Sequence, residues 1–119
     1  MDHSQLPHNH GSIPRGLQIG MPRGEHFELA AEVFKMMSDG TRIQVFWLLC
    51  HCEECVVNLS ALLDMSSPAV SHHLRQLKDR GLIVSRRVGK EVYYKAADTE
   101  QSILLHQVIE KIMEISCPD

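Results

Sequence analysis

The stretch from Val57 to Lys95 narrows the folds open to this chain more than any other. A short helix starting near Val57 or Asn58 turns Leu59, Leu62 and Leu63 inward and gives way to Ser66-Ser67-Pro68. Ser67 suits an N-cap, and Pro68 suits the first helical position, where its missing N–H costs no hydrogen bond. In the helix that follows, Val70, Leu74 and Leu77 fall at i, i+4 and i+7 and form an inward stripe. At about 100° per residue, Ser71, His72, Arg75 and Gln76 lie away from that stripe. Gly81 ends the helix. Two strands rich in Val and Tyr follow, Ile83–Arg87 and Glu91–Lys95, with the turn at Gly89-Lys90.

Charge gives this pattern a direction. The chain carries a net −3, but from Ser66 to Lys95 it is basic. There Arg75, Lys78, Arg80, Arg86, Arg87, Lys90 and Lys95 face only Asp79 and Glu91, a local +5 that leaves −8 for the rest. An acidic body with one basic surface suits a protein that grips phosphates on one side. Helix, turn, helix and basic hairpin in that order predict a unit that reads a DNA major groove with its second helix. A solvated helix face beside an ordinary hairpin is the plainer alternative.

The length of 119 residues suits one domain with a modest core. No apolar run reaches the span of a bilayer, and the first residues lack the apolar stretch of a signal peptide, so a cytoplasmic location and no membrane partner are expected. In that compartment Cys50, Cys52, Cys55 and Cys117 are thiols by default. Residues 1–24 read as a flexible arm: Pro7, Pro14, Pro22 and four of the seven glycines lie there without any period. His3, His8 and His10 are either incidental to that arm or lend an imidazole to a metal. No glycine-rich phosphate loop and no nucleophile with a base at motif spacing is present, so an enzyme is not expected.

Within 25–119, Phe27, Ala30, Phe34 and Met37 repeat at helical spacing over Glu25–Met37, and Leu29, Val33 and Met36 make a second stripe. Two apolar faces on a short helix call for two packing partners. A helix from Thr41 to Cys50 or His51 places Ile43, Phe46, Trp47 and Cys50 in the core. The last helix, from a cap at Asp98 to about Ser116, repeats Leu105, Val108, Ile112 and Ile115, a seam for a partner helix. The expected fold is mainly α with a small β-hairpin wing, in the order ααααββα, paired as a homodimer.

From about Phe27 to Ser116 the chain resembles the ArsR/SmtB family of metal-sensing winged helix-turn-helix repressors. The run from Ser66 to Leu77 matches the family's recognition helix, Gly81-Leu82-Ile83 and Gly89 to Tyr94 match its wing, and Asp39-Gly40-Thr41-Arg42 matches its turn into the second helix. The resemblance implies a dimer through the first and last helices, bound to double-stranded operator DNA with dyad symmetry and released by an inducer. Ser66, Ser67, Ala69, Ser71, His72, Arg75 and Gln76 are the candidates for DNA contact, and Arg86, Arg87 and Lys90, whose charges sit around the wing's tight turn, are expected on phosphates or in a minor groove. Two of the family's ligand patterns are altered here. Its thiol sensors carry Cys-x-Cys-Asp where this chain reads Cys55-Val56-Val57-Asn58. Its zinc sensors carry Asp-x-His and His-x-x-Glu or His-x-x-His where this chain reads Asp98-x-Glu100 and Lys111-x-x-Glu114.

Sensing then falls to Cys50-His51-Cys52-Glu53-Glu54-Cys55. Thiolates select thiophilic ions: Cd, Pb, Zn, Cu(I), As(III) or Sb(III). Cys52 and Cys55 have the spacing that lets two sulfurs meet one ion. Cys50 joins only if its helix has ended by His51, and is otherwise a core residue. Cys117 either completes the site across subunits or belongs to the tail. His51 is either a further ligand or a solvated loop residue, and His106 with Glu110 reads as an i, i+4 surface pair. Two rival functions stay open: a repressor of this fold whose cysteines form a disulfide on meeting oxidants or reactive sulfur, and a protein-interaction winged helix with structural zinc.

Overall fold

The computed structural model describes residues 6–8, 10, 11 and 13–114. The chain groups into two units that divide between Glu32 and Val33, eight residues beyond the expected boundary at Gly24. In the first, Arg15–Gly20 forms a helix (α1) where the prolines and glycines predict an arm without regular structure. Pro14 precedes it at φ −58°, close to the value its ring imposes, and its carbonyl accepts from the Leu17 amide at 3.1 Å. Six residues are too few to show a period in the sequence. The helix α2, Gly24–Met36, begins in this unit and ends in the second. Of its two apolar stripes, Met36 is buried, whereas Phe27, Leu29 and Phe34 are exposed.

The second unit continues with α3 (Gly40–Leu49), β1 (Glu54–Cys55), α4 (Val56–Leu63), α5 (Ser67–Asp79), β2 (Ile83–Val88), β3 (Glu91–Ala96) and α6 (Glu100–Met113). The wing is the expected antiparallel hairpin, running from Ile83 opposite Ala96 to Val88 opposite Glu91, with Gly89 at φ +63° in its turn. A third strand joins it: β1 pairs with β3, Cys55 opposite Tyr93, giving the order β1-β3-β2. Two residues carry no alternation, so this strand is invisible to pattern reading.

Capping sets the helix ends. Asp39 Oδ1 accepts from the Arg42 amide at 3.0 Å and starts α3. The α5 cap is Ser66, one residue before the expected Ser67: its Oγ accepts from the Ala69 amide at 3.2 Å. The α6 cap is Thr99 in place of Asp98, accepting from the Ser102 amide at 3.2 Å. In both cases the hydroxyl reaches the amide three residues on, the geometry that satisfies an open donor of the first turn. Helix α5 ends in a Schellman motif. The Leu82 amide donates to Leu77 O at 3.0 Å and the Gly81 amide to Lys78 O at 2.9 Å, with Gly81 at φ +72°.

The core collects Val45, Phe46 and Leu49 from α3, Leu59 from α4, Val70, Leu74 and Leu77 from α5, Leu82 and Ile83 around the wing's base, and Ile109 from α6. Each such side chain, once buried, contributes about 1.5–3 kcal/mol. On α3 the fully buried face is Val45, Phe46 and Leu49; Ile43, Trp47 and Cys50 pack half-buried at its edge. Leu62 of α4, expected inside, is exposed. Ser102 Oγ donates to Leu82 O at 2.8 Å, and the Ala97 amide donates to the same carbonyl at 2.8 Å, which fastens the start of α6 to the wing's base. The outer face of α6 leaves Ile103, Leu104, Val108 and Ile112 exposed; Ile115, the last residue of the expected seam, lies outside the described residues. Among the described residues, no helix is long and apolar enough to cross a membrane.

Candidate nucleic-acid interface and ligand sites

The expected reading face of α5 divides by exposure. His72 and Arg75 are exposed, Ser71 and Gln76 are half-buried, and His73 turns into the core beside Val70, Leu74 and Leu77. Burial pushes the His73 imidazole below its ordinary pKa, against the opposing pull of Asp39. At the start of the helix Ser66 is committed to its cap, while Ser67 Oγ meets Ser60 Oγ of α4 at 3.1 Å and ties the two helices together. Ala69 is half-buried. The turn between α4 and α5 is closed by Asp64 in the left-handed region at φ 52° and by the Met65 amide donating to Ser60 O at 3.0 Å. On the side of α5 turned away from the core, His72 and Arg75 are thus exposed, with Ser71 and Gln76 half-buried at their flanks.

The basic wing is partly neutralised. Arg86 donates from Nε and Nη2 to Glu53, 2.6 Å at the closest, and its guanidinium lies 5.8 Å from the Tyr93 ring centre. The hydrogen bonds and charge of Arg86 hold the Glu53 carboxyl below the usual carboxylate range. Arg87 Nε donates to Gly89 O at 3.3 Å, and Lys90 is exposed at the tip. Lys78 Nζ donates to Ser85 Oγ at 2.7 Å, bracing α5 against β2.

The three described cysteines do not meet at one point. Cys50 follows the last residue of α3, half-buried against the core. The Cys52 thiol turns back to donate to Leu48 O at 3.3 Å; burial, then the charge of Glu54, pushes its pKa up. Cys55 is buried at the junction of β1 and α4, its amide donating to Glu54 Oε2 at 3.0 Å. Cys117, like His3 of the arm, lies outside the described residues, while the His8 and His10 rings stack with centres 5.9 Å apart. Among the described residues, the three donor side chains whose ligand atoms lie within 4.8 Å of one another are His51, His106 and Glu110, not the thiols.

That second cluster joins the end of α3 to α6. His51 Nε2 and His106 Nε2 are 3.1 Å apart, and Glu110 Oε2 lies 3.2 Å from His106 Nε2 and 3.6 Å from His51 Nε2. Trp47 Nε1 donates to the same carboxylate oxygen at 3.0 Å, and the Trp47 and His51 rings are tilted with centres 4.4 Å apart. His106 and Glu110 are therefore half-buried under α3 instead of forming a solvated surface pair. Their i, i+4 spacing is legible in the sequence; the arrival of His51, 55 residues away, has no local signal.

Comparisons with known proteins bear on the fold that carries these sites. Residues 39–85 match the family model described as bacterial regulatory protein, arsR family. The chain is 38% identical over 84 residues to the transcriptional repressor SmtB homolog of Synechocystis, covering 71% of this chain and 64% of that protein. It is 34% identical over 84 residues to the arsenic resistance transcriptional regulator ArsR2 of Pseudomonas putida, covering 70% of this chain and 72% of that one. Among solved structures, it resembles the homodimeric winged helix-turn-helix DNA-binding domain of a possible ArsR-family regulator from Mycobacterium bovis, with a TM-score of 0.67, 26% identity, and 87% and 89% of the two chains covered. The chain spans slightly less than two thirds of the SmtB homolog's length. The match to the family model, the relative covered over 72% of its length and the shared fold have one meaning: the chain belongs to the ArsR/SmtB family of bacterial winged helix-turn-helix regulatory proteins.

Proposed function

We propose that this protein is a homodimeric transcriptional repressor that binds an inverted-repeat operator and releases it when a thiophilic metal or metalloid ion binds. The observation behind this is the face of α5, where His72 and Arg75 stand exposed on a helix whose opposite side is sealed by Val70, Leu74 and Leu77. An Arg at such a position pairs with guanine O6 and N7, and the exposed Arg87 and Lys90 of the adjacent wing suit phosphates. Dimerisation draws support from the apolar side chains left in water. On α6, Ile103, Leu104 and Ile112 are 49%, 56% and 76% exposed, and Phe34 of α2 is 70% exposed. Two reading helices in a dimer meet half-sites about one helical turn apart.

The inducer reading rests on how the cysteine segment is tied to the wing. Residues 53–55 hold the wing in two ways, through Glu53 to Arg86 and through the pairing of Cys55 with Tyr93. An ion drawing the Cys52 and Cys55 sulfurs together would disturb both ties and re-aim the wing against α5. The coupling is reciprocal: DNA weakens ion binding by the same factor by which the ion weakens DNA binding. The test is selection of duplexes from a random library by the reduced protein, with the mass of the complex measured by sedimentation. An inverted repeat bound by two chains supports the proposal; no enrichment, or binding by one chain, contradicts it.

A further inference from the structure

We infer that His51, His106 and Glu110 form a divalent-metal site of the zinc class, separate from the thiols and independent of the DNA-binding reading. Their ligand atoms, Nε2, Nε2 and Oε2, form a triangle with sides of 3.1, 3.2 and 3.6 Å. A tetrahedral zinc ion with bonds of about 2.0–2.1 Å needs ligand atoms about 3.3 Å apart. The triangle has that size, and one point lies about 1.9 Å from all three corners, so an ion sits just above their plane with bonds of ordinary length. The fourth position is left for water or another donor.

The surroundings suit a bound cation. The three side chains are 14–20% exposed, which shields the site without closing it. Trp47 Nε1 donates to Glu110 Oε2 and its ring packs against His51, so one indole orients two of the three ligands, as outer partners of metal ligands do. His106 and Glu110 are presented together by one face of α6, and His51 is fixed by its amide donating to Leu48 O at 3.0 Å at the end of α3. Two imidazoles and one carboxylate, with no sulfur, select zinc, cobalt or nickel over cadmium, lead or arsenite.

The proton balance is simple. Without an ion, the contact between the two Nε2 atoms is a hydrogen bond, so one of them carries a proton. A divalent ion takes both Nε2 lone pairs and the carboxylate, so the proton on that Nε2 moves by way of solvent to Nδ1 of the same ring, and both rings bind as neutral imidazoles. The bound ion would join α6 to α3, the helix that packs on α5.

Trp47 is the only tryptophan, so its emission reports the site directly. The experiment titrates Co(II), then Zn(II), into the reduced full chain, following visible cobalt bands, near-ultraviolet thiolate-to-cobalt bands and Trp47 fluorescence. The expected result is visible bands of tetrahedral strength and a change in Trp47 emission that saturate together at one ion per chain, separately from any thiolate bands of Cys52 and Cys55. Cys52→Ser/Cys55→Ser should keep the emission-linked ion unchanged and lose any thiolate bands, His106→Gln should lose at least about tenfold in affinity for that ion, and Trp47→Phe about 10- to 100-fold. An emission change that follows thiolate bands, affinity kept in His106→Gln, or no binding at millimolar cobalt would each overturn it. The wild-type spectrum decides even where a variant fails to fold.

Discussion

Arg86 of the wing is held by Glu53 of the cysteine segment through three contacts of 2.6–2.9 Å. A cation so engaged is not available to a phosphate unless Glu53 lets go. Glu53→Gln should therefore strengthen DNA binding at low salt and steepen the dependence of log affinity on log salt by about one unit, the contribution of one added phosphate contact. Anisotropy titrations at several salt concentrations measure the slope. An unchanged slope would mean that Arg86 stays off the DNA whatever Glu53 does.

Gly81→Ala isolates the backbone at the end of α5. A Cβ there meets nothing within 4 Å, so its cost comes from φ +72° alone. The variant should lose about 1–2 kcal/mol of stability. Urea unfolding measures it, and a neutral result would contradict the role given to the Schellman turn.

His73 gives the fold a pH dependence whose sign is fixed by burial. Its folded pKa lies below the unfolded value of about 6.5, so the unfolded state takes up the proton first. The stability it contributes is present above that value and is lost as pH falls through the folded pKa. Between about pH 8 and pH 5.5, wild type should lose more stability than His73→Leu, where this titration is gone. Equal losses in the two proteins would contradict it.

The parts legible in the sequence are those with a long period or a strong local rule. The stripe Val70, Leu74, Leu77 locates α5 and its core face, and Gly89 locates the wing's turn. The caps at Ser66 and Thr99 each fall one position from the residue the sequence favours, because neighbours offer equally good side-chain oxygens and only geometry chooses between them. Leu62 lies close in angle to Leu59, yet one is exposed and the other buried; a single helix does not reveal how wide its covered face is. The strand β1, the Glu53–Arg86 pair and the arrival of His51 at His106 depend on residues 33 to 55 positions apart, where spacing carries no information.

With the thiols as the inducer site, Cys52→Ser/Cys55→Ser keeps operator affinity but no longer releases DNA at the cadmium, lead or arsenite concentrations that release wild type. With a typical coupling of about 1–3 kcal/mol, wild-type affinity should fall about 5- to 150-fold. Release of the double variant at wild-type ion concentrations would remove the thiols as the site. Release that needs an oxidant and no ion would favour a disulfide switch.

Whether α5 reads base edges with His72 and Arg75 is decided by comparing wild type with Arg75→Ala and His72→Ala on the selected operator and on a random duplex at one salt concentration. Each variant should lose about 1–3 kcal/mol on the operator while unfolding at the wild-type midpoint, and the loss on random DNA should be smaller. Equal affinity of the wild-type protein for operator and random duplex, or variants that weaken both DNAs alike, would contradict it.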